Sequence, residues 1–331
     1  MDKIIVGFSG GVDSAVSAKL LQKDFQVCPV FLDNGVGDGA REAAEAAAFM
    51  GLELKTVDIR RELDARVCAP FAESYLRGET PNPCILCNPT VKFRALCAYA
   101  DELGAHWVAT GHYARAENGA LYKGRPENDQ SYMLCRLLPS QAERLLMPLG
   151  GYAKTEVRKL AEQMGLPVAA KPDSMEICFI PDGDHARWIE RRCGKLPEGD
   201  VLYNGQVIAR HCGIHRYTLG QRRGLGFAAG KRVYVSEIRP ESNEIVLSDG
   251  EDLYADTLNA HSMNWLIEEP QSPFRCSVRV RHSKTEYAAI AQARPGGGLF
   301  ARFDEPVRAP TRGQSAVLYD GDRLLGGGFI F

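Results

Sequence analysis

The stretch Gly7-Phe8-Ser9-Gly10-Gly11-Val12-Asp13-Ser14 follows the β-branched run Ile4-Ile5-Val6 and precedes a segment, Ala15 to Gln22, with apolar positions at Val16, Leu20 and Leu21. The first run suits a buried strand and the second a helix, so the glycines fall in a strand-to-helix turn. Gly10 and Gly11 lack a Cβ, which lets the backbone turn sharply and come close to phosphate oxygens. Amides at the start of the next helix point at such an anion, and the helix dipole favours it. Ser9 and Ser14 add hydroxyl donors, and Asp13 adds a carboxylate able to hold Mg²⁺ against the phosphates. No Gly-Lys-Ser/Thr ending follows, which argues against a Walker A loop and against γ-phosphoryl transfer.

Strand and helix signals alternate through the first half of the chain. Strands are expected at 26–32, 53–58 and 106–110, and helices at 40–50, 60–76, 91–103, 154–164 and 186–193. This alternation predicts an α/β fold with a doubly wound parallel sheet. Ligands in such sheets sit at the carboxyl ends of the strands, so Gly7 to Ser14, Leu32 and Gly111-His112-Tyr113 are expected to converge on one crevice. From about residue 196 the texture changes to short β-rich runs with Gly, Pro and Asp turns, such as Val201-Leu202-Tyr203 before Asn204-Gly205, which predicts small β domains.

The chain has 331 residues, 45% of them hydrophobic and 25% charged, which fits two or three globular domains. It shows neither a targeting peptide nor an apolar run long enough to span a membrane, so a cytoplasmic protein without membrane contact is expected. Ten cysteines in such a protein argue for reduced, catalytic or metal-binding thiols over a disulfide framework. A net charge of −2 gives no global signal for nucleic acid, so any RNA contact must come from local patches. Two are candidates. Arg275, Ser277, Arg279 and Arg281 alternate with Cys276, Val278 and Val280, which puts the basic residues on one strand face. Arg187, Arg191, Arg192 and Lys195 form the other; an ordinary polar helix face is the competing reading.

Two cysteine sites stand out. One lies in Thr80-Pro81-Asn82-Pro83-Cys84-Ile85-Leu86-Cys87-Asn88, read as a Pro-rich loop before a helix, with Lys92 and Arg94 nearby. The other lies in Lys171-Pro172-Asp173-Ser174-Met175-Glu176-Ile177-Cys178-Phe179-Ile180. A thiol near a helix start or a basic group ionises more easily, and the thiolate is the nucleophile. Cys28, Cys68, Cys97, Cys135, Cys193 and Cys276 are read as small core hydrophobes, and Cys212 is left open.

The glycine turn resembles the PP-loop of enzymes that cleave ATP between the α- and β-phosphates. With it, Thr80 to Asn88, Lys92-Phe93, Thr110 to Arg115, Asp129-Gln130-Ser131-Tyr132 and Asp173-Ser174 with Ile177 to Ile180 resemble the tRNA-specific 2-thiouridylases, the MnmA/TrmU family. Tyr217 to Gly226, Gly313-Gln314 and Gly326-Gly327-Gly328 extend the likeness over nearly the whole chain. The resemblance implies a PP-loop domain of the adenine nucleotide alpha hydrolase type at 1–195, a β-rich tRNA-binding domain at 196–253 and a C-terminal β-barrel at 254–331. It implies thiolation of C2 of the wobble uridine, with ATP and Mg²⁺, a tRNA, and a cysteine desulfurase or sulfur-relay protein as donor. The family expectation is a monomer. By the same likeness Cys178 carries a persulfide and Cys87 attacks it, and Leu32 and Gly111 contact the nucleotide with Gly7 to Ser14. Asn82, Pro83 and Cys84 lie by the target base, and His112, Asn128, Asp129, Gln130, Arg281, His282 and Gln314 touch tRNA.

The chain departs from the family pattern in two places. Cys84 stands where many members have Asp, which creates a Cys-x-x-Cys pair. Cys84, Cys87 and Cys178 together suit either the persulfide relay or a 4Fe–4S cluster with one open iron, and the sequence leaves both open. The loop from Asp33 to Gly39 is short and lacks a tryptophan-containing insertion. A PP-loop ligase or amidotransferase acting on another carbonyl, and a non-catalytic tRNA-binding module, are the other classes; neither has a use for two loop thiols.

Overall fold

Ile4, Ile5 and Val6 are fully buried in β1 (Lys3–Gly7), the central strand of a five-stranded parallel sheet. The computed structural model describes residues 1–173, 176–226 and 230–331. β1 pairs with β2 (Gln26–Asp33), which pairs with β3 (Lys55–Asp58). On its other side β1 pairs with β4 (Trp107–Ala109). The hairpin β5 (Ala114–Glu117) and β6 (Ala120–Lys123) then leaves this sheet, and β7 (Leu145–Leu146) returns to pair with β4. A strand covered on both faces needs apolar residues on both, which explains the unbroken run at Ile4 to Val6.

The helices are α1 (Val12–Leu21), α2 (Gly39–Phe49), α3 (Arg60–Leu63), α4 (Ala69–Leu76), α5 (Pro83–Cys87), α6 (Phe93–Glu102), α7 (Pro139–Ala142), α8 (Lys154–Gln163) and α9 (His185–Cys193). α1, α2 and α8 contribute Val16, Ala46 and Val157 to the core on one side of the sheet; α6 contributes Phe93, Leu96 and Ala100 to the core on the other. The doubly wound arrangement is therefore present as expected. The single helix expected over 60–76 is divided into α3 and α4 by a π-helical turn, Asp64–Cys68. Another π-helical turn, Asn88–Lys92, joins α5 to α6. Cys84 and Cys87 consequently lie on a helix and not in a loop. Pro83 takes the first helical position, and the Asn82 carboxamide caps it by accepting from the Cys84 amide at 3.1 Å. Residues that read as turn chemistry were helix-start chemistry.

The central domain is a four-stranded sheet of β8 (Gly199–Tyr203), β9 (Gln206–His211), β10 (Tyr234–Arg239) and β11 (Glu244–Ser248), in the order β10-β11-β8-β9. Asn204 and Gly205 both have positive φ, the backbone a two-residue hairpin turn requires. The last six strands are β12 (Tyr254–Trp265), β13 (Phe274–Arg279), β14 (Tyr287–Arg294), β15 (Gly298–Arg308), β16 (Ser315–Asp320) and β17 (Arg323–Ile330). β12 pairs with both β15 and β17, which closes them into a barrel. β17 also pairs with β6, so the hairpin of the first domain extends the barrel sheet. Val317, Tyr319 and Leu324 share a core with Phe93, Leu96 and Tyr132, and the Tyr132 hydroxyl donates to the Ser315 carbonyl at 3.0 Å. Burying Tyr132 and Tyr319 completely contributes on the order of 2 kcal/mol each toward holding the barrel on the first domain.

That docking corrects the expected basic strand face. Arg275 pairs with Asp304, Arg279 is buried against Asp129 and Glu286, and Arg281 donates to the carbonyls of Arg308 and Ala309. The alternation was real, but the first domain covers the middle of that face. In the other patch each cation has an acidic neighbour: Arg187 with Asp184, Arg191 with Asp182, Arg192 with Asp64 and Lys195 with Glu198. It is a mixed, solvated face. Among the presumed core cysteines, Cys68, Cys135 and Cys276 are buried and Cys28 and Cys97 half-buried. Cys193 departs from the expectation: it ends α9 beside Gly194 and is exposed, as is Cys212. No helix among the described residues is long and apolar enough to cross a membrane.

Candidate active site

β1 delivers the chain to a cleft of about 910 Å³ lined by Ser9, Gly11, Val12 and Asp13 on one side and by residues of the barrel on the other. Gly10 has φ +70°, and a Cβ there would stand 2.8 Å from the Ala43 Cα, so the turn needs glycine for both conformation and space. Gly111, after β4, presses on the same turn: a Cβ would lie 3.0 Å from the Asp13 Cβ. The Ser14 hydroxyl donates to the Gly11 carbonyl at 3.0 Å and accepts from the Ser9 amide at 3.2 Å. Among the described residues no side chain caps α1, so its first amides remain available to an anion.

Two lysines bring positive charge to this anion site. Lys154, the first residue of α8, donates to both Asp13 oxygens at 2.7 Å and lies 2.8 Å from Asp173. Arg158, one turn on, binds Asp173 at 2.9 Å. Burial works to raise the Asp173 carboxyl, but Lys154 and Arg158 prevail and hold it low, hence ionised. The Tyr113 hydroxyl donates to Asp13 at 2.6 Å; burial first, then that carboxylate, push its pKa up and keep it a donor. Lys171 pairs with Glu42 at 2.5 Å and donates to the Gly10 carbonyl at 3.3 Å. It therefore serves the glycine turn and not Cys178, as its place in the sequence had suggested. Sequence reasoning missed Lys154 altogether. The signal was available: a cation in the first turn opposes the helix dipole and asks for a reason.

The second cluster holds the thiols. Burial pushes the Cys87 thiol up to about 11; Lys92 opposes this, while Cys178 and Cys84 add to it, because their thiolates would repel one formed there. Burial around the sulfur raises Cys84 in the same way, Lys92 again opposing and Cys178 adding, although part of that residue faces solvent. Cys178 is exposed, and the Asn34 carboxamide donates to its carbonyl at 3.1 Å, so the short loop after β2 braces the Cys178 segment. Ser174 and Met175 lie outside the described residues.

Both other domains support the turn that leads into α5. Gln314 donates to the Thr80 carbonyl at 2.6 Å, the Thr80 amide bonds to the Arg312 carbonyl at 2.9 Å, and the Thr80 hydroxyl meets Thr218 at 3.3 Å. A Cβ on Gly313 would fall 2.9 Å from Glu79, and one on Gly78 would fall 2.8 Å from Ile238. Because Cys87 is raised, its thiolate fraction grows with pH. A step driven by that thiolate should accelerate about tenfold per unit between pH 7 and 9. Lys92→Met should slow it further at any pH in that range. Single-turnover rates against pH would check both, and a flat profile would remove Cys87 as the attacking thiolate.

The candidate residues thus fall into two groups. Ser9, Gly11, Val12, Asp13, Asn128, Asp129, Gln130 and His282 line the cleft, where the Asn128 Oδ1 has no partner among the described residues. Asn82, Pro83, Cys84, Cys87, Cys178 and Gln314 belong to the thiol side. Gly7 packs on Leu96 and Thr110, Phe8 is buried in the core, and Leu32 packs into the cores beneath the sheet edge; none of the three lines the cleft. His112 stacks on Phe93 and hydrogen-bonds Thr110 at 2.7 Å; burial, reinforced by Lys92, keeps it neutral. Among the described residues no three His, Cys, Asp or Glu side chains stand together in a way that could hold a metal ion. The three thiols are therefore not gathered into a site ready for a metal ion. Mg²⁺ is a different case, since it takes one or two carboxylates plus substrate phosphates; Asp13 and Asp173 fit that.

A parallel sheet whose central strand feeds a glycine turn and an uncapped helix, with carboxylates and lysines around the turn, defines a PP-loop nucleotide-binding enzyme. Residues 2–182 match the profile of a tRNA methyl transferase HUP domain, 187–249 a tRNA methyl transferase PRC-barrel domain and 255–330 an aminomethyltransferase β-barrel domain. The tRNA-specific 2-thiouridylase MnmA of Syntrophotalea carbinolica is 42% identical over 99% of this chain and 98% of its own. MnmA 1 of Clostridium tetani is 39% identical over 99% and 96%. The chain belongs to the tRNA-specific 2-thiouridylase MnmA family. Among solved structures, the U34-tRNA thiolase NcsA of Methanococcus maripaludis with its [4Fe-4S] cluster aligns over 58% of this chain and 66% of its own, at 21% identity and a TM-score of 0.37.

Proposed function

We propose that this protein is a tRNA-uridine 2-sulfurtransferase that adenylates the C2 oxygen of the wobble uridine in the cleft and replaces it with sulfur delivered by Cys178. The observation that carries the reading is the pairing of an anion-binding PP-loop with a separate group of thiols in a chain of this family. The uracil O2 attacks the α-phosphorus of ATP, the bond to the β-phosphate breaks, and pyrophosphate leaves. The uncapped α1 amides, Ser9, Lys154 and Lys171 receive the phosphate charge. Asp13 and Asp173 would hold Mg²⁺, which supplies charge neutralisation when bound.

A desulfurase or relay protein transfers a sulfur atom to Cys178, giving a persulfide. Its terminal sulfur attacks C2, Cys87 attacks the inner sulfur, and AMP departs with the oxygen. The electrons of the broken S–S bond stay with the sulfur on the base, and a Cys87–Cys178 disulfide remains for a dithiol reductant to reopen. Asn82, Pro83 and Cys84 lie at the base; His112, Asn128, Asp129, Gln130, Arg281, His282 and Gln314 face the tRNA, and Gly111 abuts the nucleotide. The domain limits near 195 and 253, a cytoplasmic location and a monomeric state complete the reading. Its test is pyrophosphate release from ATP with and without tRNA bearing a wobble uridine. Release only with that tRNA supports it; release without tRNA, or with a small carbonyl substrate instead, overturns it.

A further inference from the structure

Asp129 and Arg279 are both buried, at 5% and 7% side-chain exposure, and bound to each other at 2.5 Å across the boundary between the first domain and the barrel. The Asp129 carboxylate is fully used. One oxygen accepts from the Gly124 amide at 2.8 Å and the Ser131 amide at 3.1 Å; the other accepts from the Ser131 hydroxyl at 2.9 Å and from Arg279. Arg279 also donates from Nη2 and Nε to Glu286, at 2.7 and 3.1 Å, and lies over the Tyr319 ring at 4.8 Å; Lys123 binds Glu286 at 2.6 Å. A carboxylate with its lone pairs filled and a guanidinium held between two carboxylates have little left to offer a phosphate backbone.

The next residue carries the connection onward. The Gln130 amide donates to the Tyr113 carbonyl at 2.8 Å, and the Gln130 side-chain oxygen accepts from the Tyr113 amide at 3.1 Å. The Tyr113 hydroxyl then reaches Asp13. An unbroken path of bonds runs from a barrel strand to the glycine turn.

We propose that Arg279 is a positioning residue for adenylation: from the barrel it fixes Asp129, and through Gln130 and Tyr113 it holds Asp13 in register in the cleft. This rests on the adenylation reading above and changes one part of it, since Asp129 becomes a strut and not a contact to tRNA. Barrel docking and ATP chemistry are then coupled, because the hold of Tyr113 on Asp13, beside that of Lys154, is complete only when β13 is seated.

The experiment measures tRNA-dependent pyrophosphate release by the full chain, with kcat and the KM for tRNA determined separately. Arg279→Met should lower kcat about tenfold or more and leave the tRNA KM within about twofold, a split that a phosphate contact would reverse. Arg279→Lys, which retains the charge, should recover part of the loss. Tyr113→Phe should lower kcat similarly, and the double variant Arg279→Met/Tyr113→Phe should be no slower than the slower single. Should Arg279→Met fail to fold, Gln130→Met keeps the ion pair and removes the side-chain bond to the Tyr113 amide while the main-chain bond stays; it should lower kcat in the same direction at an unchanged melting temperature. A raised tRNA KM with normal kcat, multiplicative losses in the double variant, or normal kcat in Gln130→Met would each overturn the proposal while the activity reading stands. A wild-type chain that releases no pyrophosphate with tRNA would overturn both.

Discussion

Cys178→Ser should reduce thiolation of tRNA by at least about 10³-fold while leaving tRNA-dependent pyrophosphate release in place, because the hydroxyl cannot carry the transferred sulfur. Cys178 is exposed and lies outside the cleft, so the substitution neither empties a core nor touches the glycine turn. Cys87→Ser should stop turnover equally but leave a different trace: sulfur should accumulate on Cys178, detectable as a mass increase of one sulfur atom on the intact chain. Cys84→Ser separates the alternatives left open by the Cys-x-x-Cys pair. In a two-thiol relay it should retain most activity, and anaerobically purified protein should thiolate tRNA without iron. Activity that tracks iron and is lost with Cys84 would replace the relay by cluster chemistry.

Asp13→Ala should lower pyrophosphate release by about 10²–10³-fold, and Lys154→Met should come close to it. The two substitutions are not equivalent. Removing Asp13 leaves Lys154 still paired with Asp173; removing Lys154 leaves two carboxylates near one another without the cation that separates them. Lys154→Met should therefore also weaken ATP binding, whereas Asp13→Ala should act mainly on kcat. Neither should prevent a sulfur donor from loading Cys178. Loss of loading in both would mean that the cleft and the thiols are one site.

Most of the first domain was legible because its signals are local. Ile4 to Val6 fill a strand covered on both sides, and Gly10 and Gly11 have a stereochemical reason to follow it. The helical setting of Cys84 was misread because Asn and Pro mark both turns and helix starts, and only the bond from the Cys84 amide to Asn82 decides between them. The partner of Lys154 was hidden for a different reason. That carboxylate, Asp13, lies 141 residues away, and periodicity carries nothing about such a pair. Arg279 shows the same limit: its alternation with apolar neighbours described the strand correctly, but what covers that strand is set by the docking of another domain.

The turn before α5 has consequences for how the protein is made. Its contacts at Thr218 and Ile238 come from the middle of the chain, and those at Arg312, Gly313 and Gln314 from near its end. During synthesis the glycine turn and the parallel sheet can form while the barrel is still unmade, but the segment carrying Cys84 and Cys87 lacks its braces until the last strands emerge. A nascent chain is thus able to fold its sheet and glycine turn before its thiols are in register, and a chain truncated before residue 312 should retain the first without ever gaining the second.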